Sequence, residues 1–130
     1  MEAFEGVIIQ ESLVNTELLQ HCKILSTRIS LVTEEHQTPW LKQWTLHTVL
    51  VPAEKADEFA SELSYSLQSS PVNWYADFKS EHHHYVVYPN RIFIIDRSDA
   101  EQYRRATEYG VSIGIPAHQV DFEPHMKKVI

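Results

Sequence analysis

Two stretches of the chain carry apolar residues at the spacing of an amphipathic helix. The first runs from Ala53 to Gln68, where apolar side chains recur at intervals of three and four residues and so share one helical face. The residues of this stripe are Ala56, Phe59, Ala60, Leu63 and Leu67. Pro52 precedes the stretch, and its missing N–H costs nothing at a helix start. We therefore predict a first helix over residues 53–68.

The second helical stretch runs from Ser98 to Ile113. The small and apolar residues of its inner stripe are Ala100, Tyr103, Ala106 or Thr107, and Val111. Ser98 and Glu101 have the spacing of a capping box, in which each side chain satisfies a backbone N–H at the helix start. Gly114 and Pro116 follow as stop signals. The pattern predicts a second helix over residues 98–113.

Short runs rich in aromatic and β-branched residues predict the strands. Lys42–Val51 is apolar or amphipathic on both sides, which is typical of a strand in the middle of a sheet. Asn73–Lys79, His82–Tyr88 and Arg91–Asp96 follow one another with only short polar turns between them. We expect these three runs to pair as neighbouring antiparallel strands.

The two ends of the chain carry weaker signals. Phe4–Ile9 predicts a short first strand that could lie at an edge, and Cys22–Thr33 predicts a second extended segment. Asn15 is a suitable cap for a short helix between these two segments. His118–Phe122 is predicted to form a last short strand.

The order of elements from Lys42 onward is strand, helix, strand, hairpin, helix, strand. This order predicts an α+β protein with a ferredoxin-like, split βαβ antiparallel sheet and both main helices on one face. A chain of 130 residues has room for one domain with a substantial core. We therefore expect a single domain over residues 1–130, with a core at 41–123 and extra strands at 1–40.

Composition and charge narrow the possible partners. The formal net charge of −7 creates a field that repels nucleic-acid phosphates and anionic lipid, so we expect neither as a partner. No apolar run approaches the roughly 18 residues needed to cross a membrane. Cys22 is the only cysteine, and the first residues lack the pattern of a signal peptide. We expect a cytoplasmic protein.

The triplet His82-His83-His84 is the most conspicuous polar feature. In a strand, His82 and His84 project to one side, and a third ligand such as Asp77 or His47 would complete a zinc site. The alternative is that the triplet is a half-exposed polar shoulder of a hairpin. We favour this alternative and expect no metal and no cofactor, because no ligand pair has a recognised metal-binding spacing.

Asp77 lies among the aromatic residues Trp74, Tyr75 and Phe78. A carboxyl group in such surroundings can serve as a general acid or base. Strand alternation places Asp77 on the same side as Tyr75 and Lys79. The alternative, which we favour, is a solvent-facing side chain that pairs with Lys79 or another basic neighbour.

Asp96 and Arg97 end a strand directly before the second helix, where side chains orient loops and sometimes ligands. We favour capping and ion pairing over catalysis for both residues. Trp40, Trp44 and Trp74, with six tyrosines, provide more large amphipathic surface than a small core needs. These rings could line a pocket or form a subunit interface, although core filling is the simpler interpretation for Trp44 and Trp74.

Four segments resemble a group of small uncharacterised bacterial proteins. They are Trp44-Thr45-Leu46-His47, Trp74-Tyr75-Ala76-Asp77-Phe78, Asp96-Arg97 and Tyr109-Gly110-Val111-Ser112-Ile113-Gly114-Ile115-Pro116. The resemblance covers most of the chain after residue 20. It implies a bacterial cytosolic origin, and it assigns no activity and no catalytic residue.

The function that these observations favour is a binding module for a small ligand or a protein partner. The alternative is a small enzyme, with a pocket at a ferredoxin-like dimer that uses His47, Tyr75, Asp77 and a histidine of the triplet. The candidate ligand-binding residues are His47, Trp74, Tyr75, Asp77, His82, His84, Asp96 and Arg97. We also predict a homodimer, since Phe4–Ile9 and His118–Phe122 would leave open sheet edges.

Overall fold

The computed structural model describes residues 3–33 and 38–122. Six strands and two α-helices make an α+β fold. The strands are β1 (Ala3–Ile9), β2 (Lys23–Leu31), β3 (Gln43–Pro52), β4 (Ala76–Lys79), β5 (His83–Tyr88) and β6 (Arg91–Asp96). The helices are α1 (Ala56–Ser66) and α2 (Ala100–Ser112). Short 3-10 turns occur at Gln10–Ser12, Thr16–His21, Ala53–Lys55 and Ala117–Gln119.

All six strands belong to one antiparallel sheet with the order β2-β3-β1-β4-β5-β6. β1 pairs along its whole length with β3 and, through Glu5–Val7, with β4. β3 and β4 are therefore parallel to each other, and α1 connects them across the intervening β1. The expected edge position of Phe4–Ile9 is wrong, because β1 is a central strand of the sheet.

The two helices cover opposite faces of the sheet. The α1-side core joins the helix residues Phe59, Ala60 and Leu63 to alternate strand residues, among them Phe4, Ile8, Val49, Val51, Phe78, Tyr85 and Val87. The α2-side core contains Val86, Tyr88, Ile95, Tyr103, Ala106, Ile115 and Val120. Since successive side chains of a strand point to opposite faces, β5 contributes to both cores.

The prediction that both helices lie on one face is therefore wrong. A helical stripe shows that one helix face is buried, but it does not show which side of the sheet buries it. β5 is apolar on both sides, so each helix finds a partner surface there. The ferredoxin-like arrangement is not confirmed by this strand order.

The segment after α2 also differs from the expectation. His118–Phe122 is not a strand, since a 3-10 turn occupies Ala117–Gln119. The hydroxyl of Thr107 donates to the carbonyl oxygen of Val120 at 2.7 Å, which holds this segment against α2. Within residues 3–33 and 38–122, no strand follows the second helix.

The predicted helices are confirmed in position, with differences at their ends. The predicted first helix begins as the 3-10 turn Ala53–Lys55 and continues as α1. The N-cap of α2 is Asp99, whose carboxylate accepts from the backbone N–H groups of Glu101 and Gln102. Ser98 instead donates its hydroxyl to Asp96. In the described part of the chain, no helix has the length and apolar character of a membrane span.

Candidate functional site

A cleft of about 200 Å³ lies at one end of the sheet, where β3 and β4 begin. The segment that follows α2 forms its remaining wall. The residues that determine its character are Val7, Trp44, Trp74, Tyr75, Asp77 and Pro116. Its walls are mainly aromatic and aliphatic, with few polar groups, which is the usual character of a small-molecule site.

Two tryptophans form the aromatic wall of the cleft. The ring centroids of Trp44 and Trp74 are 5.3 Å apart, and the rings are tilted by 59°. The indole N–H of Trp44 donates to the hydroxyl of Thr38 at 3.0 Å. Trp74 is only 5% exposed, and its indole N–H has no hydrogen-bond partner among the described residues. A buried donor without an acceptor costs about 1–3 kcal/mol of folding free energy. An acceptor that reached the indole N–H of Trp74 would recover part of this cost.

Polar side chains fasten the segment after α2 to the sheet. The side-chain amide of Asn73 donates to the carbonyl oxygen of Ile113 at 2.8 Å. The hydroxyl of Tyr75 donates to the carbonyl oxygen of Gln119 at 2.7 Å. Gly114 turns the chain between these two points. Its φ is 94°, a backbone conformation that residues other than glycine rarely adopt. Asn73 and Tyr75 therefore shape the cleft by holding its wall.

Asp77 is supported from behind by a buried histidine. Its Oδ2 lies 2.7 Å from Nε2 of His84, and Nδ1 of His84 lies 3.0 Å from the hydroxyl of Tyr103. Because a carboxylate can only accept, Nε2 of His84 carries the proton of the first bond. In the neutral ring, Nδ1 then accepts from the hydroxyl of Tyr103. His84 is 2% exposed, whereas the Asp77 side chain remains 32% exposed beside the cleft.

The rings around His84 hold it in this orientation. Tyr103 and Phe122 approach it edge to face, at centroid distances of 5.5 and 5.7 Å. The histidine thus has little freedom to rotate away from Asp77. The carboxylate is presented to the cleft in a fixed position, which is the condition for selective recognition of a donor group.

The tyrosines around Asp77 remain neutral. Burial, followed by the negative charge of Asp77, raises the pKa of Tyr75 well above its ordinary value. Burial and the nearby Tyr75 and Asp77 raise the pKa of Tyr88 in the same direction. Among the described residues that line the cleft, Asp77 is the one acidic or basic side chain.

The structure unites four of the predicted site residues and separates the others. Trp74, Tyr75 and Asp77 line the cleft, and His84 supports Asp77 from behind. The expectation that Asp77 and Tyr75 lie on the same side of the strand agrees with this arrangement. The favoured interpretation allowed Lys79 or another basic neighbour as the partner of Asp77, and the structure gives His84 rather than Lys79.

His47 lies on the other face of the sheet. Val7 is opposite both Asp77 and Thr48, so the neighbouring His47 points away from the side that Asp77 occupies. Its ring nitrogens lie 2.8 Å from the hydroxyl of Thr27 and 2.8 Å from the side-chain oxygen of Gln10. Within one chain, His47 therefore does not share a pocket with Tyr75 and Asp77, and the expected pocket between two subunits stays a prediction.

The remaining members of the histidine triplet are exposed. His82 precedes β5, and His83 opens it opposite Asp96. His82 and His84 therefore do not form the ligand pair that strand alternation suggested. Within the two described ranges, no group of three or more His, Cys, Asp or Glu side chains could hold a metal ion.

Asp96 and Arg97 organise the turn into α2. Asp96 accepts from both the hydroxyl and the backbone N–H of Ser98, and these hydrogen bonds lower the pKa of its carboxyl group. Nη1 of Arg97 donates to the carbonyl oxygen of Ser80 at 2.6 Å. Neither residue lines the cleft.

A second, more open hollow of about 750 Å³ lies beside α1. Cys22, His21 and Glu62 contribute to its wall, and the last two approach to 2.8 Å. Burial raises the pKa of the Cys22 thiol to about 11, so the group stays a weakly reactive thiol at neutral pH. This hollow contains no activated nucleophile among its described residues.

Several functional residues were missed by sequence reasoning. Val7, Tyr103 and Pro116 are the main examples, since they shape the cleft or support Asp77 from distant parts of the chain. The alternation within β4 could identify the side of Asp77. The pairing of Asp77 with Val86, which brings His84 within reach, depends on strand register.

Comparisons with protein-family models, with curated proteins and with solved structures find no match to this chain. The resemblance to small bacterial proteins stays a prediction.

Proposed function

We propose that the protein is a binding module for a small organic cation with an apolar body. The observation that carries the proposal is the fixed carboxylate of Asp77 in the wall of a cleft that Trp44 and Trp74 line. Drug-sized ligands occupy pockets of about 300–1,000 Å³. A cleft of about 200 Å³ suits a smaller molecule, such as an amine with one ring or a short alkyl chain.

The electrostatics of the cleft favour a cation. Asp77 supplies a negative charge, and the neutral phenol of Tyr75 does not compensate it. The faces of tryptophan and tyrosine rings attract cations, by about 0.5–1 kcal/mol at exposed sites and about 2 kcal/mol where water is excluded. The net charge of −7 adds a favourable long-range field. These terms act in the same direction, toward a positively charged ligand.

The indole N–H of Trp74 supports a second contact. The donor is buried and has no acceptor among the described residues, so a small shift of the Trp74 ring toward the cleft would let it donate to an acceptor on the ligand. The ligand that suits the cleft best therefore has an ammonium or protonated ring nitrogen for Asp77 and an acceptor atom for Trp74. The apolar part of the ligand would lie against Val7 and the tryptophan rings.

Asp77→Asn is expected to weaken binding of such a cation roughly tenfold to a hundredfold, because a hydrogen bond to a charged group contributes about 1.5–3 kcal/mol. The amide oxygen of the new side chain can still accept from His84, so the fold should be kept. Isothermal titration calorimetry with small amines, each paired with the alcohol and the acid of the same carbon skeleton, measures the effect.

Glu17→Gln removes the same charge at an exposed position and is the matched control. The proposal requires that amines bind the unmodified protein more tightly than their alcohols and acids, and that only Asp77→Asn removes this preference. Equal binding of all three classes, or no binding of any amine, would contradict it.

A second candidate is an enzyme in which Asp77 takes a proton from the bound molecule. The chain of hydrogen bonds from Tyr103 through His84 to Asp77 favours this enzyme. A general base must be held in position against the proton that it takes, and His84 holds the carboxylate of Asp77 in this way. Its test is exchange of acidic C–H protons of bound compounds with deuterium from solvent. Exchange that is lost in Asp77→Asn would support the enzyme, and binding without exchange would support the module.

We also propose that the protein acts in a bacterial cytoplasm. The support is the resemblance described above, together with a single cysteine, Cys22, which is typical of a reducing compartment.

A further inference from the structure

His84 is a buried titratable side chain in direct contact with the carboxylate of the cleft. The His84 side chain is 2% exposed, and its Nε2 lies 2.7 Å from Oδ2 of Asp77. Asp77 is 32% exposed and lines the cleft. A charge on the His84 ring therefore acts on Asp77 at hydrogen-bond distance, where little water can screen it.

The surroundings of His84 can hold either a neutral or a protonated ring. Nδ1 lies 3.0 Å from the hydroxyl of Tyr103. In the neutral ring the hydroxyl donates to Nδ1, and in the protonated ring Nδ1 donates and the hydroxyl oxygen accepts. Nε2 donates to Asp77 in both forms. The ring can therefore gain a proton without a rearrangement of side chains, because only the hydroxyl hydrogen of Tyr103 has to turn away from it.

The elements packed against His84 contribute charges of both signs. β4 provides Asp77 and, directly opposite His84 in the strand register, Lys79. Asp77 favours the protonated ring, whereas burial and the ammonium group of Lys79 favour the neutral ring. The described neighbours from the other elements are uncharged side chains: Tyr103 of α2, Ile95 of β6 and Phe122. Asp77 is therefore the charged group that joins His84 to the cleft.

We propose that protonation of His84 weakens the binding of a cation in the cleft, so that the site releases its ligand on acidification. A positive ring beside Asp77 compensates the negative charge that attracts the cation, and the ligand and the proton therefore compete for one carboxylate. Coupling between two sites is reciprocal, so a bound cation must also lower the affinity of His84 for its proton. The inference rests on the proposed function, because it concerns the regulation of the same cleft.

The affinity for a small amine should fall roughly tenfold between about pH 8 and about pH 5.5, the range in which histidine ordinarily gains its proton. A tenfold effect lies within the roughly 5–150-fold range of typical coupling between two sites. Benzylamine is a suitable probe, because it has one ring and stays protonated throughout this range. Its own charge then contributes nothing to the pH dependence.

His84→Gln separates the His84 ring from the other titratable groups. The amide of the new side chain can donate to Asp77 from the position of Nε2, but it cannot gain a proton. Asp77 and the exposed His118, which precedes the cleft residue Gln119, remain in this variant, so any pH dependence that they cause is retained. We expect almost no change of affinity with pH in His84→Gln. His82→Gln removes an exposed histidine and should keep the full fall.

Isothermal titration calorimetry with benzylamine at both pH values gives the affinities of the full chain and its two variants. The ring nitrogen signals of His84 in a ¹⁵N NMR spectrum provide a second measurement, which needs no variant. Bound benzylamine should move the midpoint of the His84 titration to lower pH.

The possible outcomes separate this proposal from the proposed function. Equal affinity at both pH values, an equal fall in His84→Gln, or an unchanged titration midpoint with bound benzylamine would overturn the regulation and leave the cation site intact. If neither benzylamine nor any other small amine binds even at the higher pH, the proposed function is wrong and the regulation is wrong with it.

Discussion

Gly6→Ala should destabilise the protein by about 3 kcal/mol or more, at the upper end of the range for an overpacked core. A Cβ atom at this position would lie 2.2 Å from the carbonyl oxygen of Asp77 and 2.7 Å from Cβ of Phe78. Both obstacles belong to β4, directly beside β1, and a backbone oxygen cannot move aside as a flexible side chain can. Relief requires the two central strands to separate, which would also displace Asp77 from its position at the cleft.

Urea unfolding measures the loss, and Gly114→Ala is the matched comparison. Gly114 has a positive φ of 94°, and, apart from its two chain neighbours, no described residue places an atom within 4 Å of an added Cβ. Its replacement should cost only the backbone strain of a left-handed residue, about 1–2 kcal/mol. A smaller loss for Gly6→Ala than for Gly114→Ala would mean that β1 does not lie against β4 as described.

His84→Ala is the second substitution with a large expected effect, a loss of about 3–4 kcal/mol in the free energy of unfolding. Removal of a buried ring leaves a cavity beside Tyr103 and Phe122. The hydroxyl of Tyr103 also loses a buried partner, which by itself costs about 1–3 kcal/mol. Asp77 would lose the donor that orients it, so affinity for a cationic ligand should fall as well.

His82→Ala is the control for this effect, because it removes the same side chain two residues earlier at an exposed position. Surface substitutions usually change stability by less than about 0.5 kcal/mol. Thermal and urea unfolding of both variants separate the two histidines. Similar small losses for His82→Ala and His84→Ala would show that the Asp77, His84 and Tyr103 chain does not form.

The positions of the main helices were predictable because their signals are local. The stripe from Ala56 to Leu67 repeats at the helical period, and α2 has comparable spacing and a capping residue. The face of the sheet on which each helix packs was not predictable in this way. Tyr85 and Val87 on one side of β5 are as apolar as Val86 and Tyr88 on the other.

The sequence of β1 did not indicate that this strand is central in the sheet. Glu5 and Gly6 interrupt the apolar alternation of this strand and suggest an edge. The structure gives Gly6 a different reason, because the close approach of β4 leaves no room for a side chain. Such close approach depends on strand order, which the sequence of one strand does not contain.

The candidate site was predictable only where its residues are close together in the sequence. Alternation along the run Trp74–Lys79 placed Asp77 on the same side as Tyr75, and both residues line the cleft. His84 reaches Asp77 through the register of β4 with β5, and Tyr103 reaches His84 through the packing of α2. The face of the sheet that His47 occupies relative to Asp77 was not predictable, because it depends on the register of β3 and β4 with β1.

The central claim, that Trp44, Trp74 and Asp77 form a ligand site, is tested most directly by the indole N–H signals of the three tryptophans in a ¹H–¹⁵N NMR spectrum. Single Trp→Phe variants assign the signals. Trp40 serves as an internal control because it is 46% exposed and does not line the cleft.

During titration with a small amine, we expect a large shift for the signal of Trp74, a smaller one for Trp44 and almost none for Trp40. The shifts of Trp74 and Trp44 should become much smaller in Asp77→Asn at the same subsaturating amine concentration, because this variant is expected to bind the amine roughly tenfold to a hundredfold more weakly. A titration that moves Trp40 as much as Trp74, or leaves Trp74 unchanged at saturating amine, would contradict the account.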